Sequence, residues 1–273
     1  LDLQEIDALK EQSDKQKKGG SNAPKFIIDM VHKYPGEVVL LSLGALTNVG
    51  RALQKDPKIA KLVKRMVYMG MGHRMKEQQT EEFPFRGETD PIEPGHVYFY
   101  YPNHNISCDT MAAVKVFQSG MDISVVNDTV TNMLWWDSEA CQHLVDSTDP
   151  PENAATAVLL KVWLQYRSSI FYQKITGTCP HDPLTTAEAI YPDRFVKYAR
   201  GHLMITEWAG FSCFVLDPQG PHRIGISVEA ERFQTWLSCK INQHLKLEAT
   251  PTETTTDSNN NNNETKPEDE RTA

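Results

Sequence analysis

The chain has 273 residues, 40% hydrophobic and 9% aromatic, enough apolar material for one large or two small cored domains. Its formal net charge is -8, but residues 247–273 hold seven acidic and two basic side chains, so the body is close to neutral. Without a basic cluster interleaved with aromatics, nucleic acid is not the expected partner, and no apolar run nears the ~20 residues of a membrane span.

Five cysteines, Cys108, Cys141, Cys179, Cys213 and Cys239, are an odd number with no CxxC spacing. That predicts reduced thiols of a cytoplasmic protein, not a disulfide frame or a zinc site. The chain opens on Leu1 and not on methionine, so its natural start is expected upstream.

Residues 1–21 are a charged surface segment. Asn22 is then placed to cap a helix whose buried face would be Phe26, Ile27, Met30 and Val31. Tyr34-Pro35-Gly36 ends it. Val38 to Leu43 is mainly an unbroken apolar run, the pattern of a strand covered on both faces in a parallel sheet. Gly44 to Asn48 turns the chain into helical material that reaches Val63, with a break at Asp56-Pro57. Met66–Met69 is the next strand and ends in Gly70-Met71-Gly72. Strand, helix and strand in this order are a βαβ unit.

Residues 73–94 are polar, lack a periodic pattern and read as an insertion. The run from Thr89 to Gly95 suggests an acidic metal loop, but two prolines and no preceding strand argue against it. Tyr98 to Tyr101 leads into Asn103-His104-Asn105, and Asp109 is placed to cap a helix with Ala113, Val116 and Phe117 on one face. Ile123–Val126 is a third strand. Residues 152–174 predict a long core helix. Segments 202–206, 211–216 and 221–227 predict short, mostly antiparallel strands, and a last helix carries Phe233, Trp236 and Leu237. Residues 247–273 are an acidic, asparagine-rich tail predicted to be disordered. Two sequons, at Asn105 and Asn127, adjoin apolar segments and read as chance occurrences.

The chemistry-bearing stretch is Thr178 to Ala189. His181 and Asp182 stand at a helix mouth, with Pro183 in the first turn, beside unpaired N–H groups suited to a polar ligand.

Four stretches, in order, resemble the inosine/uridine-preferring nucleoside hydrolase family. Tyr34-Pro35-Gly36-Glu37 through Gly44-Ala45-Leu46-Thr47-Asn48 is similar to "YPGE…GPLTN". Asp56-Pro57 and Lys64 to Gly70 are similar to "DP…KRIVxMGG". His104-Asn105-Ile106 with Asp109, Ala112 and Ala113 resembles "EFNxxxDPEAA", and His181-Asp182-Pro183-Leu184 resembles "HDPL". Residues 228–233 resemble the family's closing helix.

The resemblance implies an α/β fold: a mostly parallel, Rossmann-like sheet with helices on both faces and the first strand or strands missing, over residues 22–246. It implies hydrolysis of the N-glycosidic bond of ribonucleosides to ribose and free base, with a nucleoside as partner molecule and a homo-oligomer compatible. A calcium ion (Ca2+) would hold the attacking water, with Asp182 and the Thr47 carbonyl as ligands. Met69, Asn103, Asn105 and Asp182 would bind the ribose, and His181 would be the general acid. Four departures stand beside it. The family's DxDxGxDD motif is absent from these 273 residues, as expected of a fragment. Asn103 stands where the family has glutamate, and Met71 replaces a glycine and is expected to narrow the ribose site. His96 is the expected counterpart of the family's Gly-Asn asparagine. The alternatives are a catalytically inactive ligand-binding relative, which the first two departures favour, and an interaction protein.

Overall fold

The computed structural model describes residues 22–75, 92–137, 139 and 177–242. Expectations for residues 1–21, most of the insertion, Cys141, the 152–174 helix and the tail lie outside them. In chain order the elements are α1 (Ala23–Lys33), β1 (Val39–Ser42), α2 (Thr47–Lys55), α3 (Ile59–Leu62), β2 (Arg65–Met69), β3 (Val97–Tyr100), α4 (His104–Ser107) and α5 (Thr110–Phe117). They continue with β4 (Ile123–Val126), α6 (Asp128–Thr131), β5 (Trp136–Asp137), β6 (Gly177–Thr178), α7 (His181–Ile190), β7 (Val196–Ile205), β8 (Ser212–Leu216), β9 (His222–Val228) and α8 (Ala230–Asn242).

The helix starts follow from side chains that can satisfy free N–H groups. Asn22 accepts from Lys25 N at 3.2 Å, and Asp109 accepts from Ala112 N at 3.0 Å. The inward face of α1 is Pro24, Ile27, Ile28 and Val31. Phe26, expected on that face, is 65% exposed. It sits one residue, about 100° of helix rotation, from Ile27.

A seven-stranded sheet runs in the order β1-β2-β4-β9-β7-β8-β3. The first four strands pair in parallel, and β7 is antiparallel to both β9 and β8. That returns β8 to the common direction, so five of the seven strands share it. Helices cover both faces. Tyr68, Leu46, Ala52 and Phe117 fill one side with α2 and α5, while Val67, Val126, Leu184 and Phe233 fill the other with α7 and α8. Each buried Val, Leu or Phe among these contributes about 1.5–3 kcal/mol. The α/β architecture of the sequence reading is the one observed.

Three expectations need correction. Strand β1 is not covered on both faces: among the described residues it is the border strand of the sheet, and Leu41 is 39% exposed. An apolar run signals burial but carries no information about which strand is outermost. The segment expected as a strand over 202–206 is the second half of the ten-residue β7, and β9 is parallel to β4 as well as antiparallel to β7. Residues His73 to Met75 do not open a free insertion; they run beside β3, with Tyr101 N donating to His73 O at 2.9 Å and Met75 N to Phe99 O at 2.7 Å.

Helices α2 and α5 approach so closely that a Cβ on Gly50 would lie 2.9 Å from the Ala112 Cβ. This contact fixes α5, and with it Asp109. Among the described residues no helix is long and apolar enough to cross a membrane.

Candidate active site

In parallel α/β sheets ligands bind beyond the carboxyl ends of the strands. Here those ends bring together Leu43 after β1, Met69 at the end of β2 and Asp128 after β4. Gly70 lets the chain leave β2, because a Cβ there would sit 2.2 Å from the Tyr68 ring.

Asn105, on the short α4, reaches across two of these ends. Its Nδ2 donates to Met69 O at 2.9 Å, with the Met69 Sδ at 3.4 Å and Leu43 O also at 3.4 Å. The amide is thereby fixed through Nδ2, and its Oδ1 has no partner among the described residues. Asn103 caps α4, its Oδ1 accepting from Ile106 N at 3.2 Å. Its Nδ2 lies 3.9 Å from the Met69 Sδ and also donates to the Asp128 carboxylate. Met69 therefore touches both asparagines expected at the sugar.

Helix α7 supplies the other wall. It has no side-chain cap, and Asp182 lies in its first turn. His181 Nδ1 is 2.6 Å from the Thr131 hydroxyl, so the end of α6 anchors the imidazole. Partial burial pushes the Asp182 carboxyl above its ordinary range, and no hydrogen bond or ion pair engages it among the described residues. The ordinary role of a first-turn acid, satisfying its own helix's N–H groups, is therefore not what holds Asp182 here.

Thr47 lies apart from these groups in its bonding. Its hydroxyl donates to Asp109 Oδ2 at 2.6 Å, which holds the Asp109 carboxyl below its usual range. It is the first residue of α2, where a carbonyl is taken up by the N–H four residues on. Met71, expected to narrow the ribose site, has φ 74° and a fully buried side chain in the core. Its carbonyl accepts from Asp128 N at 3.0 Å. His96 is exposed and leans on Tyr98.

The sequence reading missed Asp128, Thr131 and the Leu43 carbonyl. A signal existed for the first two: a short apolar strand ending in Asn127-Asp128-Thr129 puts polar side chains at a parallel strand's carboxyl end. The Asn127 sequon is interior. Asn127 is 0% exposed, accepts from Val130 N at 3.1 Å and donates to Gly225 O at 3.0 Å.

The sequence profile of the inosine-uridine preferring nucleoside hydrolases matches residues 3–264. The chain belongs to this family. It is similar to the probable uridine nucleosidase 1 of Oryza sativa subsp. japonica, 29% identical over 184 residues that make up 66% of this chain and 48% of the relative. It is also similar to uridine nucleosidase 1 of Arabidopsis thaliana, 27% identical over 186 residues, 68% of this chain and 48% of the relative. The chain thus spans about half the length of the curated relatives it matches. Among solved structures, a plant nucleoside hydrolase superposes with a TM-score of 0.60 at 21% identity, over 81% of this chain and 66% of that one. A purine-preferring ribonucleoside hydrolase from Gardnerella vaginalis gives 0.61 at 21% identity, over 81% and 65%. These superpositions establish the nucleoside hydrolase fold. Among the described residues, no three His, Cys, Asp or Glu side chains are grouped as a metal site would need.

Proposed function

We propose that this site serves the hydrolysis of ribonucleosides, purine or pyrimidine, to ribose and free base. Water oxygen bonds to the anomeric carbon, the N-glycosidic bond breaks, and the departing base nitrogen takes a proton. The observation that carries the reading is Asn105 bracing the ends of β1 and β2, while Thr131, one turn beyond β4, holds His181. The Oδ1 of Asn105 is set to accept a ribose hydroxyl, with Met69 as the floor beneath it. His181, held through Nδ1, is the group that protonates the leaving base, and Asp182 binds at the sugar.

A calcium ion belongs to the proposal as the group that would hold the water and the sugar diol. Asp182 fits as one hard oxygen ligand, and the carbonyls of Thr47 and Leu43, both just beyond β1, are main-chain oxygens that could add to it. These oxygens do not complete a shell of six to eight, so no step here is routed through the ion.

Release of reducing sugar from inosine and from uridine, with and without EDTA, tests the reading on the full-length polypeptide. Release that EDTA abolishes is the expected result. The second reading is a ligand-binding relative, favoured by Asn103, whose amide is committed to capping α4. Nucleoside binding without sugar release would decide for it.

A further inference from the structure

We propose that Asp128 is the residue that accepts a sugar hydroxyl on the Asn103 side of the site, with Asn103 aiming it. The inference rests on the nucleoside-binding reading above and assigns a residue to it.

Asn103 is the poorer candidate for that role. Its Oδ1 accepts the Ile106 N–H, and its Nδ2 is shared between Asp128 and Met69. That leaves the amide one acceptor position, on the same oxygen that caps α4. Releasing Oδ1 would uncap α4, which carries Asn105.

Asp128 has the opposite balance. A carboxylate offers about four acceptor positions, and Asn103 is the side-chain donor that reaches it. No cation pairs with it among the described residues. The carboxylate is nonetheless largely withdrawn from water, and burial pushes its pKa up to about 6. A withdrawn carboxylate with spare acceptor positions calls for donors from elsewhere. The Tyr68 hydroxyl is likewise buried and without a hydrogen-bond partner among the described residues, and the Asp128 charge helps to raise its pKa. A ligand with several hydroxyls can satisfy such a cluster, whereas an apolar one cannot.

The placement is specific. Asp128 opens α6 at the carboxyl end of β4, and its N–H is tied to Met71 O at 3.0 Å. Thr131 closes the same turn and holds His181 at 2.6 Å. Residues three apart share a helix face. The hydroxyl acceptor and the anchor of the imidazole are therefore mounted on one short, half-buried element. Asn103, through Met69, joins it to the asparagine at the other strand ends.

Binding tests this without turnover. Calorimetry on the full-length polypeptide would use formycin B, a C-nucleoside with no hydrolysable C–N bond, and its 2′-, 3′- and 5′-deoxy counterparts. Wild type should lose about tenfold in affinity when one particular hydroxyl is removed. Asp128→Asn keeps an acceptor for Asn103, should bind the parent about tenfold more weakly, and should no longer distinguish it from that one deoxy analogue. If the variant melts far below wild type, Asp128→Ser is read in the same way. Unchanged discrimination among all the analogues, or a uniform loss on every one, overturns the assignment. A wild type that binds none of them overturns the nucleoside reading as well. A wild type that binds them but releases no sugar from inosine overturns only the hydrolytic reading, and the Asp128 comparison still decides its own question.

Discussion

The Thr131 hydroxyl stands 2.6 Å from His181 Nδ1, joining residues 50 apart in sequence. Thr131 is fully buried and also lies 3.5 Å from the Asp128 carbonyl. The imidazole is thus aimed by a side chain that cannot swing away, and α6 decides where the ring of α7 points.

Thr131→Val keeps the shape and removes this hydroxyl. The lost hydrogen bond amounts to about 1 kcal/mol, or roughly fivefold in rate. Turnover of inosine, whose base needs a proton to leave, should fall by about that factor. Turnover of p-nitrophenyl riboside, whose leaving group needs none, should hold. Equal losses on the two substrates would show that the contact only packs the site.

Asp182 titrates in the direction that makes function and stability disagree. Partial burial raises its carboxyl above the ordinary value, so the charged form is disfavoured in the folded chain. Its unfavourable effect is absent below the unfolded pKa and grows as pH rises through the folded one. In EDTA, Asp182→Asn should therefore melt slightly above wild type at pH 7 and level with it near pH 3. The same variant should lose calcium binding, read by calorimetry, together with ribose release. Unchanged turnover would remove Asp182 from the metal.

His222 carries the opposite sign. Its Nδ1 accepts from Leu203 N at 2.9 Å and the ring packs edge-on to Phe117. Burial lowers its pKa to about 4, so the neutral form belongs to the fold. The stability it supports is complete above the unfolded pKa near 6.5 and is lost as pH falls toward 4. Between pH 7 and pH 5 the loss should be roughly 2 kcal/mol. His222→Asn keeps an acceptor for Leu203, and the gap between its urea-derived stability and that of wild type should narrow by about this amount over the interval. A gap that stays constant would mean that His222 titrates alike in the folded and unfolded chain.

What the sequence disclosed was local. Asn22, Asp109 and the apolar run at Ile123–Val126 announce their elements because a cap or a buried strand is written in adjacent residues. Long-range order was not legible. Nothing near Leu41 tells that β1 is the border strand among the described residues, and nothing near Thr47 tells that its hydroxyl goes to Asp109, 62 residues away. Among the site residues, Asn105 and His181 stood out through motifs, whereas Thr131 gains its role from where β4 lies in the sheet. Met71 misled for a related reason. Its substitution for glycine concerns the site by alignment, but its positive φ turns the side chain into the core.

The two hydrogen bonds of Asn127 have a consequence for cell biology. Its amide nitrogen, the atom to which an oligosaccharide would attach, is sealed between β4 and β9 against the Gly225 carbonyl. The folded chain and a glycan at this position exclude one another. In a secretory compartment, sugar on Asn127 would mark molecules modified before β9 closed, and its occupancy would count failures of folding.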